Sequence, residues 1–594
     1  MSDLLSIGLS GINAAQIQLA TVSNNISNAS TPGYTEQSVT QAAYVPQTAS
    51  FGFVGMGVSV TGITRNYNKY LSDQVQAAQA TSSYSTTLST QLSQIDNMMG
   101  NSSSGLNTSL QNFFSSMQSL SSDPASVPDR QDVLSNTQSL VTEFQAQNTQ
   151  LQQIQSGTNS QIQAAVTSIN NLAGTIASLN QRIVAQSGNG AGAQPNTLLD
   201  QRDEAMQQLN QLVGASYVQQ SNGSYDVFIG NGQTLVQDNS TMPLSTQTDP
   251  TDTSNLQLIQ PNPNGTNTVI PNSLISGGSL GALMNFRDGT LLATQKSLGN
   301  MAIDLSTSMN YQQAQGLDLN GNAGSPLFSD LTAYASNPEN AISHMSVLLS
   351  DPSTIAAASD MTASAVSPSG STVSVTSVSP TLPASYSWAS TSSPPLASSH
   401  PSQGMTSIVV NATSSSAITA TINGGPGAGT YNVVSDPAEQ NGYQLMTTGS
   451  PAQAVGVAFT LSGQMQTGMS FTITPNTAAT MGTGDNSNLL QMLNLQTAPV
   501  VDDTRNGSTA GLQSFQNAYT SATSVVGNAT SSATQEATVA SNTLEQATTD
   551  LSNMSGVDLN QEAANLVKYQ QAYQAAAKVI STAQTLFAQI LQLG

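Results

Sequence analysis

The chain has 594 residues, room for about four domains at ~150 residues each. Only 7% of residues are charged, against roughly 25% in an ordinary soluble domain, and 10 Lys and Arg stand against 32 Asp and Glu. A net charge of −22 argues against nucleic acid and anionic membranes as partners, zero Cys excludes disulfides, thiolate catalysis and Cys-ligated zinc, and no apolar run reaches the ~18 residues of a membrane span.

The opening MSDLLSIGLSGINAAQ lacks a basic start and is broken by polar residues, so no cleaved signal peptide is expected. It reads as a helix: Leu5, Ile12, Leu19 and Ile26 recur at heptad spacing with Ala15 and Val22 between them, an a/d seam. SNNISNASTPGYTEQ (23–37) follows. Asn25 and Asn28 can cap or cross-link backbone there, Thr31-Pro32-Gly33 forces a turn, and Tyr34 anchors an extended exit. Leu88, Leu92, Ile95 and Met99, then Leu110, Phe113, Met117 and Leu120, predict two shorter helices, separated from the next by the turn SSDPASVPDR (121–130).

From Leu134 to Ile183 one heptad register holds: Leu134, Val141, Ile162, Ile169, Ile176 and Ile183 in one position, Phe144, Leu151, Ala165, Leu172 and Leu179 in the other. Asn148, Gln155 and Thr158 interrupt it, and Gly157 and Gly174 each weaken it by ~1 kcal/mol relative to Ala. Unbroken, this helix spans about 75 Å at ~1.5 Å per residue. Around Asn222-Gly223 and Asn231-Gly232 the pattern alternates, predicting hairpins within 215–272. Residues 330–482 are rich in Ser, Thr, Gly and Pro with strand-like pieces such as SIVVNATSSSAITATI and MSFTITP, and prolines around Trp388 mark turns. A low-complexity linker is the alternative over 351–404. Leu512, Phe515, Tyr519, Val526, Ala529, Ala533 and Ala540 give another long, thin helix.

The last segment mirrors the first. Leu559, Leu566, Tyr573, Ile580 and Phe587 repeat at heptad spacing, with Tyr569, Ala576, Ala583 and Ile590 in the second position and Asp558 as N-cap. Each end is an amphipathic helix that could be the other's partner. Their seams are thin beside the entropy of ordering them, so the ends are expected to be loose in a monomer and to order on assembly. An ordinary two-helix stalk on a monomer is the competing reading.

Chemistry is scarce. Asp318, Asn320 and Asn322 in DLNGNAG suggest a calcium loop, but Ala323 occupies the position that demands Gly and Ser329 the one that demands Glu, so a plain Asn/Gly turn is expected and no metal. Asp200, Arg202, Asp203 and Glu204 cluster in a chain poor in charge, as a solvated or packing-related ion cluster rather than an acid–base pair. Arg65 and Arg287 are expected in ion pairs between elements or subunits. A Ser–His–Asp triad would need His344 or His400, and neither sits near a Gly-x-Ser-x-Gly string. No enzyme and no cofactor are expected.

The string holding Asn24, Asn25, Ile26, Asn28, Thr31, Pro32, Gly33 and Tyr34 resembles the N-terminal motif shared by flagellar rod, hook and hook-associated proteins, and SGVDLNQEAANLVKYQQAYQAAAKVISTAQTLFAQILQL (555–593) resembles their C-terminal motif. LLDQRDEAMQQLNQLVG (198–214), GGSLGALMNFRDGTL (277–291) and QAQGLDLNGNAGSPLF (313–328) look like the core of the flagellar hook-associated protein 1 family, the hook–filament junction proteins. The likeness covers both ends and the helical core and is weak across 330–482. Gln313 stands where the family commonly has His, and Asn560-Gln561 where it has an acidic pair.

The resemblance implies a structural subunit between hook and filament, with its terminal helices paired as a coiled coil. The partners implied are further copies of itself, the hook protein, the adjoining hook-associated protein on the filament side, and an export chaperone on the C-terminal helix. The implied location is extracellular, reached through the flagellar type III apparatus, with no membrane insertion. A hook-like axial subunit is the alternative, and further off a surface adhesin or enzyme displayed on the β insertions.

The fold expected is multidomain α + β: paired terminal helices, a rod-like bundle of long helices and outward β-rich insertions. Residues 1–66 and 553–594 form the inner coiled-coil domain. Residues 67–214, 273–329 and 483–552 form the helical rod, with a small β-rich insertion at 215–272 and outer β-rich domains at 330–482. The assembly interface is expected at Leu5, Ile12, Leu19, Val22, Ile26, Leu559, Leu566, Tyr569, Tyr573, Ile580, Phe587 and Ile590.

Overall fold

The computed structural model describes all residues except 1, 46, 50–51, 101–104, 188–193, 231, 263–264, 369–370, 381–403, 426, 437–439, 451, 453, 503–510 and 594. Asn231, Trp388 and its prolines, and His400 lie outside the described residues, as does the Ile590 side chain. The fold is mixed α and β, with long helices at both ends and a β-rich middle. Its helices are α1 (Ser2–Asn28), α2 (Lys69–Met99), α3 (Leu106–Ser122), α4 (Val127–Ser187), α5 (Asn196–Leu212), α6 (Gly278–Phe286), α7 (Leu292–Ala314), α8 (Ser487–Asn494), α9 (Phe515–Ser555) and α10 (Leu559–Leu593). Residues 1–92, 155–287 and 530–594 make one compact unit, and 93–154 with 288–529 a second.

In the first unit α1 lies along α10. The approach is close because α1 presents glycine: a Cβ on Gly8 would stand 2.7 Å from Ile580 Cγ1, and one on Gly11 3.3 Å from Ala576 Cβ. Against α1 also packs a hairpin, β1 (Gln37–Ala43) antiparallel to β4 (Val58–Arg65), with the short pair β2 (Gln47–Ala49) and β3 (Gly52–Val54) between them in sequence. Strands β5 (Ala215–Gln219), β6 (Tyr225–Ile229), β7 (Gln233–Gln237) and β8 (Ser240–Thr241) form one sheet, and β9 (Ser245–Thr248), β10 (Leu256–Pro261) and β11 (Asn267–Ile270) another. Asn222-Gly223 turns β5 into β6, as its composition requires. A single apolar core joins Ile162, Ile169 and Ile176 of α4 to Met206 and Leu209 of α5, Val227 and Ile229 of β6, and Leu280 of α6.

The second unit holds α3, α7, α8 and an eight-stranded sheet running from Met361 to Pro475, with its own core of Ile408, Val410, Ala420, Leu445, Phe459 and Ile473. Its first strand, Met361–Ala363, pairs with its last, Ser470–Pro475, Met361 opposite Pro475. Ahead of the sheet, residues 330–360 run as short 3-10 turns, where buried Arg130 donates to the carbonyl of Ile355 at 2.7 Å and Gln145 to that of Met345 at 2.9 Å.

The long seam is one helix, α4, continuous through Gly157 and Gly174, and Asn148, Gln155 and Thr158 are buried in it rather than exposed breaks. Leu88, Leu92, Ile95 and Met99 are not a separate short helix. They are the end of α2, whose first half buries Val75, Ala78, Ala80, Ser82 and Ser85, residues too small and polar to show an apolar period. In DLNGNAG, Asp318 accepts from the backbone N–H groups of Asn320 and Asn322 at 2.8 Å each, the plain turn expected. His344 sits in a 3-10 turn with its ring stacked on Tyr334 at 4.4 Å.

Candidate functional site

The terminal helices share a root, where α1 ends and α10 begins. Asn25 is buried and does more than stop a helix: its Nδ2 donates to Gln37 O at 2.9 Å, while its Oδ1 accepts from Gln37 N at 3.1 Å and from the Tyr34 hydroxyl at 2.7 Å. The side chain copies a strand's hydrogen-bonding edge and clamps the returning chain at the first residue of β1. The turn between needs Gly33, which lies at φ +72°, where a Cβ would also press within 3.0 Å of Glu204 Oε2. Asn28 and Asn24 bond to each other at the surface at 2.6 Å, and Thr31 Oγ1 donates to Asn28 Oδ1 at 3.3 Å; Ile26 and Pro32 are exposed. Burial, then the charges of Asp200, Glu562 and Glu36, push the Tyr34 hydroxyl up to about 12, so it stays a donor.

A charge cluster holds the outer side of this turn. Thr35 Oγ1 donates to Asp200 Oδ1 at 2.6 Å, and Arg65 Nη1 reaches Asp200 at 2.9 Å and Asp203 at 2.7 Å, with the Arg65 and Asp200 side chains buried and that of Asp203 nearly so. Burial alone would lower the Arg65 pKa, but the charges and hydrogen bonds of Asp203 and Asp200 outweigh it and hold it above its ordinary value. Desolvation likewise pushes Asp203 up, against the pull of Arg65. Arg202 turns away, as a residue two positions from Asp200 on a helix must. Its guanidinium lies 3.3 Å over the Tyr225 ring and donates to Gly223 O at 2.7 Å and Asn180 Oδ1 at 3.1 Å. Tyr225 stacks on Tyr217 at 4.1 Å, and Lys69 Nζ stands 4.6 Å from the Tyr217 ring. Of the two settings open to the Asp200–Glu204 cluster, packing holds: it ties α5 to β4, to the segment before β1 and to the β5–β6 sheet.

The inner side of the turn meets α10. Glu36 N–H donates to Ser555 O at 2.8 Å, its side chain accepts from Asn66 Nδ2 at 2.6 Å, and its carboxyl is within hydrogen-bonding reach of Glu562, itself buried in the first turn of α10. Asp558 caps that helix, accepting from Asn560 N at 2.8 Å and Gln561 N at 3.3 Å. Glu36 and Glu562 escaped the sequence reading because each meets the other end of the chain, and scarcity of charge is the one signal that could have marked them; Gln37 and Asn66, bonded to Asn25 and Glu36, carry no such signal.

Away from the root the helices are covered unevenly. Val22 is buried, Ile12 and Leu19 half-buried, and Leu5 and Ile26 exposed; on α10, Leu566, Tyr569, Tyr573 and Ile580 are half-buried, and Leu559 and Phe587 exposed. The stripe that meets α10 thus adds Gly8 and Gly11 to the half-buried Ile12 and Leu19, since glycine lets the two backbones approach so closely. Among the polar residues left open stand large apolar side chains: Leu4, Leu5 and Leu9 (53% exposed) on α1, and Val567, Val579, Leu586 and Phe587 (55%) on α10.

The family model for the flagellar hook-associated protein FlgK helical domain matches residues 92–328, that for flagella basal body rod proteins 5–35, and that for the C-terminal part of flagellar basal body rod FlgEFG proteins 551–593. Flagellar hook-associated protein 1 of Escherichia coli strain K12 is 32% identical over 602 residues, and that of Salmonella typhimurium 32% over 597, each comparison spanning 100% of both chains. The protein of the same name from Bacillus subtilis is 26% identical over 55% of this chain and 70% of its own length. The solved flagellar hook junction protein FlgK from Burkholderia pseudomallei superimposes with a TM-score of 0.64 at 25% identity, over 80% of this chain and 99% of that one.

Proposed function

The chain belongs to the flagellar hook-associated protein 1 family, and from that we propose that it is a structural subunit of the bacterial flagellum, placed at the distal end of the hook to join hook to filament. The observation that carries the mechanism is the set of exposed large apolar side chains on both terminal helices, which are fixed at their root by the Asn25 clamp and the Arg65 pair. Scattered apolar residues on a surface need no explanation, but a concentration of them on two antiparallel neighbouring helices marks a contact. The α1–α10 pair acts as a coiled coil inside the subunit. The expected interface residues fall into two sets. Val22, Ile12, Leu19, Leu566, Tyr569, Tyr573 and Ile580 hold the pair, while Leu5, Ile26, Leu559 and Phe587 face neighbouring copies. The hook protein on one side and the adjoining hook-associated protein on the other complete the junction. Before assembly a chaperone covers α10, and the chain leaves the cell through the flagellar export apparatus. The domain division stated from the sequence, with 330–482 turned outward, goes with this reading.

The test separates the two sets. Leu9→Asp and Phe587→Asp replace exposed side chains, so each purified chain keeps its helix content and melting temperature, yet neither enters the flagellum and cells shed their filaments. Ile580→Asp strikes the pair itself and should lose both terminal helices and incorporation. Normal filaments from Leu9→Asp and Phe587→Asp cells overturn the reading.

A further inference from the structure

The Glu36 carboxyl, in the turn leaving α1, lies within hydrogen-bonding reach of the Glu562 carboxyl in the first turn of α10, and neither can donate to the other unless one carries a proton. Glu562 is 2% exposed; its Oε1 accepts from Asn565 Nδ2 at 3.3 Å, while its Oε2 is buried with no donor. Two carboxylates in contact repel, and a buried oxygen left without a donor costs free energy. One proton cures both faults. We propose that Glu36 and Glu562 form a proton-held latch, in which a shared proton closes the turn after α1 onto the start of α10 and its loss frees the roots of both terminal helices.

The surroundings place the proton on Glu36. The positive end of the α10 dipole favours negative charge on Glu562 in its first turn. Burial raises the Glu36 pKa above its ordinary 4.5; the hydrogen bond from Asn66 opposes this, and Glu562 and Asp558 add to it. The other groups facing this corner do not compensate: Tyr34 stays neutral, Glu204 lies against Gly33 and accepts from Gln208, and Arg65 is taken by Asp200 and Asp203. Since the folded chain holds the proton more tightly than the unfolded one, the latch is fully made below the ordinary glutamate value and is lost as pH rises through the raised one. The latch is a property of the single chain and stands whether or not the junction reading does.

Amide hydrogen exchange of the full chain, from about pH 4 to about pH 8 and corrected for intrinsic rates, tests this. Protection of residues 34–40 and 555–566 should fall through the Glu36 titration, by about tenfold for each unit by which that pKa is raised, while the core of α4 shows no such step. In Glu36→Gln the amide donates in place of the proton, so protection should stay high and lose its step. A flat wild-type profile, or a step that survives in Glu36→Gln, overturns the latch. Should Glu36→Gln not fold, carbon-13 carboxyl titration of the wild-type chain decides: a Glu36 midpoint above 4.5 supports the latch, and one at or below it overturns it.

Discussion

The root of the terminal helices and their outer reaches lie on the same two elements and are built on opposite principles. At the root almost every contact is directional: the Asn25 clamp, the Arg65 bridge to two aspartates, the Glu36 bond to Ser555. Farther out the pair is held by small residues in close approach, with Leu9 and Phe587 left in solvent. Directional bonds specify one geometry and tolerate no substitute, whereas a thin apolar stripe leaves its large side chains free for another surface. A subunit that must start its helices at a fixed angle and finish them against a neighbour needs both.

The sharpest way to break this contrast is Arg65→Ala. It leaves Asp200 and Asp203 buried without their cation, and removing one member of a buried pair costs about 3–5 kcal/mol, so the melting temperature of the first unit should drop sharply. The sign with pH is fixed. Asp203 is already pushed up by burial, and without Arg65 it rises further, so the deficit shrinks as pH falls through the carboxylate range and is complete at neutral pH. A loss under about 1 kcal/mol would mean the cluster is solvated after all.

Asn25→Ala tests the clamp. Three hydrogen bonds go and the Gln37 backbone is left buried without partners, which costs about 1–3 kcal/mol by chemical denaturation. Hydrogen exchange should then rise first at residues 33–40, not at the outer ends. If the outer ends respond equally, root and reach are one cooperative element and the comparison fails.

A smaller effect is expected from a larger change. The eight-stranded sheet has its own core, Met361 and Pro475 pair across its first and last strands, and Asn476 N–H donates to Asp360 O at 2.7 Å, so the two ends of the module lie side by side. Excising 361–475 and joining Asp360 to Asn476 by a short Gly-Ser link should leave the melting of the first unit unchanged. Loss of the α1–α10 pair in that variant would show that the terminal helices lean on more than their root.

These differences explain what the sequence could disclose. Heptad spacing located both terminal helices and α4 from Leu134 to Ile183, because periodicity is a property of one segment; it missed the first turns of α4, which begin at Val127 inside the predicted turn 121–130. It did not say which edge of α1 faces α10, since that depends on where glycine allows two backbones to meet. The Asp200–Glu204 cluster stood out because charge is rare here, and Asn25 because the motif around it punctuates a helix. Glu36 and Glu562 carry no local signal: each is an ordinary glutamate until the fold brings opposite ends of the chain together. The first half of α2 was invisible for another reason, that it packs with Ala and Ser and shows no apolar stripe to read.

The smallest expected effect separates buried from exposed charge within the same corner. Lys69 bonds Asp73 at 2.6 Å, as short as any contact of Arg65, but both side chains are about half exposed. In water their attraction is screened, and holding two long side chains in one geometry costs entropy, so such a pair contributes about 0.2–1 kcal/mol. The Lys69 ammonium over Tyr217 adds little more at an exposed site. Lys69→Met keeps the stem packed on the ring and removes only the charge; it should cost under about 1 kcal/mol and erase the salt dependence of the β5–β6 sheet's exchange. A cost near that of Arg65→Ala would mean that the stack Arg202–Tyr225–Tyr217–Lys69 transmits the buried charge to the surface, and that the root reaches one layer farther into the β-sheet than its hydrogen bonds alone define.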